Sequence, residues 1–75
     1  MEYEESYRGV PIRLTTTQVP AGGWSSAAVL VEGERRVPVT GIAEVVYESE
    51  EAARRAALSA AAGAVDRARA SRGKP

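Results

Sequence analysis

The stretch "ESEEAARRAALSAAAGAVDRARASR", Glu48 to Arg72, decides the fold and fills a third of the chain. Ser49 suits a helix cap, because its hydroxyl accepts from an otherwise unpaired first-turn amide. Glu50 and Glu51 fall in the first turn, where the helix dipole favours negative charge. Arg67, Arg69 and Arg72 fall near the other end, where positive charge is favoured. With so much alanine, these signals predict a helix over 49–71. At about 100° per residue, Ala53, Ala57, Ala61, Ala64, Val65 and Ala68 share one stripe, with Leu58 on its edge. The stripe is narrow and small, which lets a helix lie close on a sheet. Gly63 costs about 1 kcal/mol relative to Ala inside a helix, so its place on the flank of the stripe suggests close backbone approach or a bend.

Upstream, the period changes from helical to two. In "YRGVPIRLTTTQ", Tyr7 to Gln18, Val10, Ile12, Leu14 and Thr16 point one way, and Arg13, Thr15 and Thr17 the other. Pro11 cannot donate to a ladder, which suits an edge strand or a strand start. "VPAGG", Val19 to Gly23, marks a turn. "WSSAAVLV", Trp24 to Val31, reads as a second strand, and Gly33 centres a second turn. A third strand is expected over Arg35 to Tyr47, with a bulge or break at Pro38 and Gly41.

The fold class expected is therefore α+β: a three-stranded antiparallel β-meander followed by one C-terminal α-helix packed on one sheet face. Residues 1–75 form one domain, with a flexible arm at 1–6, sheet at 7–47, helix at 49–71 and tail at 72–75. Which face the helix covers is left open, because the second and third strands are apolar on both sides.

Seventy-five residues without cysteine make a marginal core. They also exclude disulfides and zinc–thiolate sites. The acidic "MEYEESYRG" is unlike a signal peptide, and no run approaches the roughly 18 apolar residues of a membrane span. A cytoplasmic protein is expected. Nine arginines against one lysine point to a GC-rich genome.

Catalysis is not expected. There is no histidine or cysteine, and Ser25, Ser26 and the Thr15–Thr17 run have no histidine to activate them and no lysine near in sequence. "AGGW" lacks the spacing and lysine of a phosphate loop. Glu48, Glu50 and Glu51, or Glu2, Glu4 and Glu5, are carboxylate runs without calcium-loop spacing. Helix capping accounts for the first run and a solvated arm for the second. No cofactor or metal is assigned.

Net charge is zero, yet nine acids and four bases precede Arg54, and six bases and one acid follow from it. Such asymmetry raises nucleic-acid binding, with Arg35, Arg36, Arg67, Arg69 and Arg72 as candidate contacts. Against it, Glu50–Arg54 and Glu51–Arg55 have ion-pair spacing. About 18 Å of helix without a base separates Arg55 from Arg67. Trp24 is read as a buried core anchor in preference to a base-stacking platform.

A sheet with one helix leaves a face uncovered. Val29, Val31, Val45 and Tyr47 are the candidate interface on it, for a homodimer or a protein partner.

The pattern "YRGVPIRL…GGW…AVLV…VVYESEEAARRAALSAAAGAVD" resembles short uncharacterised bacterial β-β-β-α domain proteins over about Tyr7 to Asp66. "SEEA", Ser49 to Ala52, after "GGW" is also similar to HicB-like antitoxin domains. That resemblance implies a small RNA-cleaving toxin as partner. The family's Pro-rich "PDLPGC"-type segment and its separate DNA-binding domain have no counterpart here, so only the topology is carried over.

Overall fold

In the computed structural model, residues 1–39, 42 and 45–72 are described, with backbone alone at 71 and 72. The order is β1 (Glu2–Tyr7), β2 (Val10–Gln18), β3 (Trp24–Glu32), β4 (Arg35–Pro38) and α1 (Glu50–Arg72). The strands form one antiparallel sheet in the order β1-β2-β3-β4. The α+β class and the C-terminal helix match the expectation; the strand count is four.

The extra strand is the segment expected to be a flexible arm. Residues Glu2 to Tyr7 pair along β2, from Glu2 opposite Thr15 to Tyr7 opposite Val10. Arg8 and Gly9 form the two-residue hairpin loop between them, with φ of 52° and 78°. Two successive positive φ values match the twist of a tight hairpin. Glycine meets that demand without steric cost, and Arg8 meets it while held at Asp66, with Nε 3.4 Å from Oδ1. Because β1 takes the edge, β2 is internal, and Pro11 occupies the strand-start position just inside it.

The third strand expected to run to Tyr47 ends at Pro38. It resumes for one pair, Trp24 with Tyr47, whose backbones exchange two 2.8 Å hydrogen bonds. Between Val29–Pro38 and Trp24–Tyr47, five steps along β3 oppose nine along its partner. Pro38 is not the cause: the Val39 amide still donates to the Ala28 carbonyl at 2.9 Å, one residue beyond it, so the Pro38 nitrogen faces away from β3, where no ladder bond is lost. The break expected at Gly41 lies outside the described residues. Ile42, within the offset, is buried in the core.

The helix covers the face of Ile12, Leu14 and Thr16 on β2 and of Ser26, Ala28 and Leu30 on β3, all buried. Its own contribution is a single row, Ala53, Ala57, Ala61 and Val65, each 0–2% exposed. That row is the expected stripe, with Leu58 and Ala64 packed beside it. Ser49 caps as expected: the Ala52 amide donates to Ser49 Oγ at 3.1 Å. Of the two reasons expected for Gly63, close backbone approach is absent, because a Cβ there would meet only Arg67 Nη1 at 3.5 Å. Trp24 is also corrected: it is half-buried at the ladder's end and lies outside the core cluster.

Candidate functional site

The sheet face away from α1 is built by the residues that alternate with the core. Register sets them in rows. Glu2, Thr15 and Ala27 form one row, and Glu4, Arg13, Val29 and Pro38 the next. Ser6 and Pro11 with Val31 and Arg36 form the third. Val29 and Val31 are half-buried here, and Ala27 and Pro38 are exposed. A depression of about 460 Å³ opens on this face, lined among others by Glu2, Glu4, Arg13, Val29 and Arg36. Glu4 and Arg13 stand 3.6 Å apart and are largely exposed. The face is therefore apolar along β3, acidic at the β1 edge and basic on β4, with Arg13 and Thr15 on β2 between.

Of the four candidate interface residues, Val29 and Val31 share this face. Tyr47 does not, because directly opposed strand residues project to the same side, and its partner Trp24 lies in the helix-side set of β3. Val45 is outside any strand and 42% exposed, next to Val46 at 54%. Grouping these two with Val29 and Val31 carried strand alternation past the interruption expected at Pro38 and Gly41.

The arginines are dispersed. Arg35 sits opposite Glu32 and Arg36 opposite Val31, so these neighbours project to opposite faces of β4. They do not form one patch. Arg67 and Arg69 are exposed on the last turns of α1, and the Arg72 side chain lies outside the described residues. Topology nevertheless gathers these groups at one end of the molecule. Both hairpin loops, at 8–9 and 33–34, lie at the same sheet end. The contact of Tyr7 with Asp66 brings the C-terminal half of α1 to it.

The acidic runs are engaged or divided. Glu50 Oε2 accepts from the Tyr3 hydroxyl at 2.5 Å and from Thr16 Oγ1 at 2.8 Å. Those donors hold the Glu50 carboxyl below its ordinary pKa, with Tyr3 the larger cause and Thr16 next. The same bond to Glu50, then partial burial, raises Tyr3 above the usual phenol value. Arg54 lies over the Tyr3 ring, 4.8 Å from its centroid, so its neighbour is a ring as well as the Glu50 charge. Glu51 pairs with Arg55 at 3.0 Å, as expected. Glu5 falls on the helix side of β1, while Glu2 and Glu4 fall on the open side. Among the described residues, no three acidic side chains group to hold a metal ion.

Sequence reading missed the tyrosines of β1. Tyr3 and Tyr7 both face the helix, each donating its hydroxyl to a helix acid and each lying beneath an arginine, Arg54 or Arg8. Their spacing of four, on one side of a strand, was the available signal. With Trp24 also on that side, no strand aromatic faces the open surface.

No family model, curated protein or solved structure matches this chain. No described helix is long and apolar enough to cross a membrane.

Proposed function

We propose that this chain is a small, non-catalytic interaction module whose working surface is the open sheet face, joining it to itself or to a protein partner. One observation carries the reading: half-buried Val29 and Val31 lie on an inner strand of a sheet face that no element of the described chain covers. A sheet normally buries such residues against a second layer, and contiguous exposed apolar surface marks interaction sites. The antitoxin resemblance is a narrower version, in which the partner is a small basic toxin. A cytoplasmic setting belongs to the same proposal.

Nucleic-acid binding is the second reading, favoured by the gathering of Arg35, Arg36, Arg67 and Arg69 at one end. It is the weaker one. Arg8 at that end is held by Asp66, and the strand aromatics that would stack bases face the helix instead.

A pull-down from native lysate, without nuclease, separates the readings when wild type and Val29→Glu are compared as baits. A stoichiometric protein lost with Val29→Glu supports the open face. Nucleic acid that high salt removes, and that Val29→Glu leaves unchanged, would move the function to the arginine-bearing end.

A further inference from the structure

We infer that the open face pairs with the same face of a second copy, about a two-fold axis that lies between β2 and β3 and runs parallel to the strands. This rests on the open-face reading above and adds the occupant and its orientation. Charge is complementary across the sheet. Glu2 and Glu4 lie on β1, at one edge; Arg36 lies on β4, at the other; Arg13, 3.6 Å from Glu4, and Ala27, Val29 and Val31 lie between. The described charges of the face, two acids with Arg13 and Arg36, cancel, so a like face is not repelled as a whole.

Two in-plane two-fold axes stack one sheet on another with their strands aligned. An axis across the strands sets β1 on β1, and its acids meet acids. An axis along the strands sets β1 on the second copy's β4 and β2 on its β3. Glu4 then comes within one row of the second copy's Arg36. Arg13 stands over Val29 with its aliphatic stem, and Pro11 stands over Val31. The face spans about 19 Å over four strands and about 30 Å along the longest ones. Because β1 and β4 are shorter, at six and four residues, its plan area is roughly 450 Å², below the ~800 Å² per partner of a standard interface. A reversible dimer follows, with the helices on its two outer faces.

The orientation makes an unusual prediction. Within one chain, Glu4 and Arg36 sit three strand spacings apart, about 14 Å, and do not reach each other. Between copies they meet twice. Glu4→Arg and Arg36→Glu should each weaken the dimer, by at least about tenfold in dissociation constant, through like-charge contacts. Mixing the two variants in equal amounts should restore it, because both contacts of the mixed dimer are then arginine to glutamate.

Sedimentation equilibrium on the full chain, with circular dichroism to verify each variant's fold, reads this directly. A wild-type dimer, two weakened single variants and a restored mixture are the expected result. A wild type that stays monomeric, or a mixture no tighter than its components, overturns the self-pairing. If the wild type is monomeric but Val29→Glu still abolishes capture of a protein partner, self-pairing alone has failed. If a wild-type dimer is untouched by Val29→Glu and by both charge changes, the open-face reading falls with it.

Discussion

The Tyr7 hydroxyl donates to Asp66 Oδ2 at 3.0 Å, joining the first strand to the helix across 59 residues. The other oxygen of Asp66 is 3.4 Å from Arg8 Nε, in the hairpin loop that follows Tyr7. One helix acid thus holds both the strand and its turn. Tyr7→Phe should cost about 1 kcal/mol, the usual net worth of such a bond. Asp66→Asn should cost about as much, and the double variant less than the two together, because they share the interaction. Urea denaturation of the four proteins measures the coupling. Additive losses would mean that the bond does not hold β1 in solution.

A second pin, at the other end of β1, has a pH signature. The Glu50 carboxyl is held low by Tyr3 and Thr16. Its contribution is therefore present above the unfolded pKa, about 4.3. It is lost as pH falls through the lower folded value. Tyr3 is shifted the other way. Its contribution is present below the unfolded value of about 10 and lost as pH rises through the higher folded one. Stability should be level between these limits and decline beyond each. Tyr3→Phe should shrink the acid decline and weaken the alkaline one, as measured by denaturation midpoints across pH. Wild type and variant curves of identical shape would remove Tyr3–Glu50 as the cause.

These two pins also explain what was legible in the sequence. Helix and cap were readable because Ser49, the early acids, the late arginines and the alanines are all local signals. The faces of β2 were readable from strict alternation at Val10 to Thr17. Strand β1 was not, because three of its six residues are glutamates, which favour neither strand nor burial. Its stability comes from Tyr3 and Tyr7 reaching acids far along the chain, which no local window contains. The helix-covered face was equally hidden. Strand β3 is apolar on both sides, and the choice between them rests on which side bears the tyrosines and Thr16.

Two glycines should respond to alanine in opposite directions. At Gly63 the new Cβ meets only Arg67 Nη1 at an ordinary 3.5 Å. Gly63→Ala should therefore stabilise the protein by up to about 1 kcal/mol, through helix propensity alone. At Gly23, φ is +96° and a Cβ would fall 2.5 Å from Val46 Cγ1 and 2.9 Å from the Tyr47 carbonyl oxygen. That close approach lets Trp24 and Tyr47 pair beyond the broken strand. Gly23→Ala should cost about 1–3 kcal/mol from strained backbone, before any clash is added. Thermal denaturation of both variants is the check. A destabilising Gly63→Ala would point to a bend that the helix needs.

Two hydroxyls that face each other in the core have unequal roles. Ser26 is 3% exposed, opposite Thr16 in the β2–β3 ladder. Thr16 spends its hydroxyl on Glu50, whereas Ser26 Oγ has no hydrogen-bond partner. Burying an unpaired hydroxyl costs about 1–3 kcal/mol on the scale of protein substitutions. Its removal leaves only a small void beside the alanine row, because one oxygen is lost. Ser26→Ala should therefore be neutral or stabilising, by up to about 1 kcal/mol, while Thr16→Val should destabilise by depriving Glu50 of a donor. Both are read from the same urea curves. A clear loss in Ser26→Ala would show that the hydroxyl is satisfied in solution, and the unequal roles of these facing residues would have to be abandoned.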